Sequence, residues 1–306
     1  MRRRLLAAVG ALTILGVAGC GEPGSAGGGD TTAGSTAETS GGASCEPVAG
    51  EELVLLEDDL DLQTVDNIVP AINADAAEPP MVAAVDAVSA TLDQPTLIDL
   101  NRAVDVERRT SSEVAAEHLQ EADIEITDTS GSGEVVVGVG NFSESATVGE
   151  LYALALTEAG YDTEVRTIGN RETYAPALES GDLTVVPEYA GTLAEYLNLS
   201  INGADAEPVA SSDLDATMQQ LRSLADQAGL VLGEPAQAAN QNAYAVTAAF
   251  GEEHEVITLS ALAEACDGVV LGGPPECPDR PFCQPGLEEV YGLQVDEFVA
   301  LDAGGP

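Results

Sequence analysis

The sequence predicts an α/β fold, and three observations carry that expectation. After Gly133, short apolar runs rich in β-branched residues alternate with stretches of helical periodicity, as βαβ units require. Residues 213–228 place Leu214, Met218, Leu221 and Leu224 at helical spacing and close on Gly229. Once the low-complexity front is set aside, roughly 260 residues remain, more than one small core needs.

Elements follow in order from Gly133. Residues 135–139 read as a strand, about 147–159 as a helix, 163–168 as a strand, 174–179 as a helix and 183–186 as a strand. The helix at 213–228 comes next, then a short strand at 244–247, a helix at 259–265, a strand at 268–271, a helix at 287–291 and a last strand at 297–301. The sequence stops at Pro306.

The front of the chain is a different kind of sequence. Arg2, Arg3 and Arg4 form a basic start, residues 5–17 an apolar run, and Val17-Ala18-Gly19-Cys20 a lipobox-like cleavage site. Residues 1–19 therefore read as a lipoprotein signal peptide, because the apolar run is too short for a permanent span. Cys20 becomes the lipidated residue, and the expected location is the extracytoplasmic face of the cell membrane, held by acyl chains. Residues 20–45, mostly Gly, Ser, Thr and Ala, cannot bury enough apolar surface to fold and make a flexible tether.

The formal charge is −43, and all ten basic residues are Arg. So acidic a surface repels nucleic acid and anionic lipid, and it enriches small cations near its clefts. Besides Cys20 there are four cysteines, an even number in an exported protein, so two disulfides are expected. Four thiols allow three pairings. The short, Pro-stiffened loop Cys277-Pro-Asp-Arg-Pro-Phe-Cys283 favours a Cys277–Cys283 bridge, which leaves Cys45 with Cys266. Zinc is the competing reading, but the spacing fits no common template, so no metal and no cofactor are expected.

Enzyme chemistry finds little support. His118 and His254 stand in polar contexts and read as solvated, and neither lies near a nucleophile motif. The Gly138-x-Gly140 turn lacks the third glycine of a dinucleotide fingerprint. Glu57-Asp58-Asp59 reads as a solvated turn rather than an acid–base pair.

Three segments carry a family resemblance. They are Gly-Glu-Val-Val-Val-Gly-Val-Gly-Asn-Phe-Ser-Glu-Ser from Gly133, Thr-Glu-Val-Arg-Thr-Ile-Gly-Asn-Arg from Thr163, and Val-Val-Pro-Glu-Tyr-Ala-Gly-Thr ending at Thr192. Together they resemble the opening lobe of the substrate-binding proteins of osmoprotectant ABC importers, which capture glycine betaine, carnitine or choline. Residues 52–59, 66–72, the helix 81–92, and 97–105 through 112–119 look like the carboxy-terminal segment of that family. The resemblance implies a two-lobed type II periplasmic-binding-protein-like fold, circularly permuted, with residues 46–132 moved to the front. It places lobe I at 133–197 with about 70–125, and lobe II at 198–306 with about 46–69. A further helix and strand of the family, expected after the last strand, do not follow here.

The resemblance also implies a site. A quaternary ammonium offers no hydrogen-bond donor, so a protein surrounds it with aromatic faces. Tyr189 and Tyr244 match two cage tyrosines, and Thr192 a position that affects ligand choice. Asp66 falls near another cage position, where it would meet a cation by charge. Asn141 and Ser145, between a strand and its helix, stand where backbone donors meet an anion, while Ser145 also suits helix capping. Arg171 has two readings, a clamp for a ligand carboxylate or a partner for one of many acids. Asn242 accompanies Tyr244 at the lobe crossing. The expected protein is a monomeric receptor, not an enzyme, with a small quaternary-ammonium or zwitterionic solute and an ABC permease as partners. The alternative, from a different class, is a truncated or degenerate receptor kept as a non-transporting surface interaction or sensor lipoprotein.

Overall fold

The computed structural model describes residues 45–122 and 124–301. The expected signal peptide, the expected lipidation site Cys20 and nearly all of the expected tether lie outside the described residues.

The larger lobe is built on a five-stranded sheet. Strands β2 (Ile68–Asn73), β3 (Glu134–Gly140), β4 (Asp162–Gly169), β5 (Val185–Tyr189) and β6 (Leu230–Leu232) stand in the order β4-β3-β5-β2-β6. β3 is parallel to β4 and β5, whereas β2 runs antiparallel to both of its neighbours. All six residues of β2 are buried, because helices cover both faces. Ile68 and Ile72 point into one layer with Val135, Val137 and Val139. Val69 and Ala71 point into the other. The period of two along a strand produces this division.

Helices α1 (Pro79–Ser89), α2 (Gln94–Asp105), α3 (Ser111–Glu121) and α4 (Ser143–Glu158) contribute to the first layer. Helices α5 (Arg171–Ser180), α6 (Ala190–Asn202) and α7 (Leu214–Gln227) contribute to the second. Local signals start and stop several of them. Asp93 caps α2 through the Thr96 N–H at 2.9 Å, and Asp213 caps α7 through the Ala216 N–H at 3.0 Å. Thr110 and Glu113 form a capping box on α3. Gly181 ends α5 in the left-handed region with φ 83°.

The smaller lobe holds two two-stranded pieces. β1 (Leu53–Leu55) pairs antiparallel with β7 (Ala245–Thr247), and β8 (Val269–Gly273) pairs parallel with β9 (Val295–Ala300). Helices α8 (Ala248–His254), α9 (Leu259–Ala265) and α10 (Gln284–Val290) complete it around a separate apolar core. Disulfides join Cys45 to Cys266 and Cys277 to Cys283.

The chain crosses between lobes near residues 64–67 and 236–242. There Asn67 bridges Ala239, and its side chain donates to the carbonyls of Ala236 and Gln237. The boundary expected at residue 197 therefore moves to about 240. Residue 197 lies inside α6, and both α7 and β6 belong to the larger lobe because β6 needs β2 as its partner. For the same reason the lobe begins near Asp66 rather than at residue 70.

Candidate functional site

A cleft of about 560 Å³ lies at the junction of the lobes. Its larger-lobe wall is set by strand ends. Asp66 lies two residues before β2, Asn141 and Phe142 follow β3, and Tyr189 ends β5. This is the carboxyl edge of parallel strands, where α/β sheets present loops to ligands. No loop separates Tyr189 from the next element, because α6 starts at the following residue and Tyr189 is its N-cap position.

A buried charge network floors the cleft. Arg171 forks onto Glu188, with Nε donating to Oε1 at 2.9 Å and Nη2 to Oε2 at 2.7 Å. Their side chains are 8% and 1% exposed. Burial opposes the charge on Arg171, but Glu188 overrides it and holds the guanidinium firmly protonated. The same Nη2 also donates to Thr192 Oγ1 at 2.8 Å. Thr192 in turn donates to Asp66, its N–H at 2.9 Å and its hydroxyl at 3.2 Å. Of the two readings of Arg171, the structure supports the acid partner.

Asp66 is the unusual member. Burial pushes its carboxyl up to about 7, against the Thr192 N–H and the Arg171 charge, which both favour the ionised form. An ordinary Asp titrates at 3.8. Between about pH 4 and 7 the native protein keeps a proton on Asp66 that the unfolded chain has released. Its contribution to stability is therefore full below about pH 4 and is lost as pH rises through about 7. Comparing urea unfolding of the wild type and Asp66→Asn across that window should show the wild type losing ground to the variant as pH rises. Parallel pH curves would sink this assignment.

Aromatic faces stand beside the network. The Phe142 and Tyr189 rings lie 6.2 Å apart, tilted by 33°, and Tyr174 and Tyr196 also line the cleft. The Tyr189 hydroxyl donates to Glu144 Oε1 at 2.8 Å, and the Asn240 amide donates to the same oxygen at 2.8 Å. Asn101 donates to the other oxygen. Burial, reinforced by the Glu144 charge, keeps the Tyr189 phenol protonated.

The structure brings Asp66, Asn141, Arg171, Tyr189, Thr192 and Asn242 to one cleft. It does not bring Ser145 or Tyr244 there. Ser145 is 2% exposed, and its Oγ accepts the Gly140 N–H at 2.8 Å, so that donor is already engaged and cannot serve a ligand anion. Tyr244 lines a separate apolar cavity of about 270 Å³, and its hydroxyl donates to the Phe282 carbonyl at 2.9 Å.

Sequence reasoning missed Glu144, Asn240 and Phe282. Glu144 stands in the quoted Asn-Phe-Ser-Glu run, but one acid among 53 carries no signal of its own. Two expectations about histidines also change. His118 is half-buried and bonds Thr91 Oγ1 at 3.0 Å, and burial lowers its pKa. His254 rests on Phe250 at 4.4 Å, with Nδ1 3.6 Å from Cys45 Sγ. Cys45, His254 and Cys266 thus converge, yet both sulfurs are tied in the disulfide and neither is the thiolate that a metal takes.

Among solved structures, the chain is similar to clavulanic acid biosynthesis oligopeptide binding protein 2, at 14% identity and a TM-score of 0.30, over 58% of this chain and 42% of that one. It is also similar to the PBP AgaA from A. tumefaciens R10 in complex with agropinic acid, at 13% and 0.31, over 65% and 48%. A third is NikA from Brucella suis in complex with Fe(III)-EDTA, at 12% and 0.31, over 64% and 53%. The chain spans about half the length of these structures. The family described as the substrate binding domain of ABC-type glycine betaine transport systems matches residues 48–121 and 133–303. With both lobes and the cleft between them inside that match, the chain belongs to this family of ABC transporter substrate-binding domains.

Proposed function

We propose that this protein is the extracytoplasmic receptor of an ABC importer, anchored through Cys20, and that its cleft takes a small quaternary-ammonium cation of the glycine betaine, carnitine and choline class. It performs no chemistry; ligand contacts from both lobes favour the closed state, and that preference is its work.

The observation that carries this reading is the charge state of the aromatic-lined cleft. Both of its arginines are engaged by carboxylates, Arg171 by Glu188 and Arg280 by Glu172 and Glu276. Glu195 and Asp279 add further acid groups to the lining. A cation enters such a cleft favourably, whereas a ligand carboxylate meets arginines already paired. Within the class this favours choline-like cations over zwitterions. The permuted order of segments belongs to the same proposal. It is supported by the antiparallel β2, from the front segment, standing between β5 and β6, and by the break in the family match at 122–132.

Isothermal titration with choline, glycine betaine and carnitine tests the reading. The wild type should bind choline saturably, and Tyr189→Leu should weaken it about tenfold or more through loss of a desolvated cation–π face. No binding of any of the three by the folded wild type would sink the proposal.

A further inference from the structure

The cleft wall contributed by the smaller lobe comes mainly from one short loop, with residues 273–276 and 279–282 all lining it. The Cys277–Cys283 disulfide closes this loop on itself. Arg280 ties it across the cleft to Glu172 at the start of α5, at 3.2 Å. Three side chains from outside the loop then converge on a single atom, the Phe282 carbonyl oxygen. Tyr244 donates its hydroxyl at 2.9 Å, Gln63 its amide at 3.0 Å, and Asn242 its amide at 3.3 Å.

A carbonyl has two lone pairs, and three converging donors exceed what satisfying it demands. All three donors stand at or just beyond the lobe crossings, so the backbone of Phe282 is registered against the hinge. The Phe282 side chain is half-buried. It packs against the smaller lobe's core, and Phe282 is among the residues that line the same cleft as Phe142 and Tyr189. A phenyl ring brings no donor, acceptor or charge, only a π face, which is what an alkylated ammonium can use.

We propose that Phe282 is a ligand-contacting residue that sets selectivity for a quaternary ammonium, and that Tyr244, Asn242 and Gln63 are positioning residues acting through its carbonyl. The inference rests on the reading of the cleft as a cation site. It assigns Tyr244 and Asn242 an indirect role, one that their positions at the crossing suit better than direct contact.

The test compares choline with its uncharged carbon isostere, 3,3-dimethylbutan-1-ol, which has the same shape without the cation. Both are titrated into the full chain as wild type, Phe282→Leu, Tyr244→Phe and Tyr189→Leu. Phe282→Leu keeps apolar packing on the smaller lobe's core but removes the π face, so choline should bind about five- to tenfold more weakly while the isostere is nearly unaffected. Tyr244→Phe keeps its ring and loses one donor, and should weaken choline about two- to fivefold without a matching fall in melting temperature. If Phe282→Leu leaves choline unchanged while Tyr189→Leu weakens it, the inference fails and the receptor reading stands. Equal weakening toward choline and the isostere assigns Phe282 a packing role and also overturns the inference. Failure of the wild type to prefer choline over the isostere overturns the cation-site reading, and the inference with it.

Discussion

Arg171→Met is expected to destabilise the protein by about 3–5 kcal/mol, the cost of removing one partner from a buried ion pair. The side chains of Arg171 and Glu188 are both almost fully enclosed, and their two-pronged contact is the strongest charged interaction at the base of the cleft. Without the guanidinium, Glu188 would keep a buried charge with no cation beside it, and Thr192 would lose one hydrogen bond. Removing both partners, as Arg171→Met with Glu188→Leu, should recover much of the loss, since the penalty comes from an uncompensated charge rather than from missing attraction. Urea unfolding at neutral pH measures both variants. A single-variant loss below about 1 kcal/mol would mean that solvent screens the pair after all.

Cys45→Ser with Cys266→Ser is the other large effect. The bridge joins residues 221 apart in sequence, and the chain-entropy relation for so long a loop gives a loss of about 5 kcal/mol. The Cys277–Cys283 bridge spans only 6 residues and by the same relation contributes about 2 kcal/mol. The loss should not be shared evenly between lobes. Cys45 and Cys266 sit in the smaller lobe's own core, apart from the two layers that cover the five-stranded sheet. A thermal scan of the double variant should therefore show an early transition for the smaller lobe ahead of the larger one. One unshifted transition would overturn this.

The sequence-based reading succeeded where periodicity was long or flanked by clear stops, as in β3, α4, β4 and α7. It missed α6 because that helix begins directly at the end of β5, without a loop to announce it. Its second residue, Gly191, looks like a breaker in sequence, yet it is needed because a Cβ there would overlap the Val65 carbonyl and the Thr64 hydroxyl. β6 is three residues long and acquires its identity only by pairing with β2, so no local pattern marks it. The lobe boundary was displaced for that reason.

The site was legible to a different degree. The resemblance located Tyr189, Thr192, Asp66 and Arg171, which the structure gathers at one cleft. It could not give direction. Tyr244 and Asn242 both donate to Phe282, a contact 38 to 40 residues away in sequence that no spacing rule reaches. Glu144 ties Tyr189 to Asn240 by the same kind of distant convergence, at separations of 45 and 96 residues.

The placement of β2 also dictates an order of events during biosynthesis. Its residues, 68–73, are synthesised well before the two strands that flank it, which end at 189 and 232. Until both have been made, a strand that is buried on every residue has nowhere to go, and its apolar surface stays exposed. Pairings across so many residues close slowly, because loop entropy is lost before any contact compensates it. The larger lobe should therefore stay loosely structured and in need of protection from aggregation until residue 232 has been made, then condense in a cooperative step.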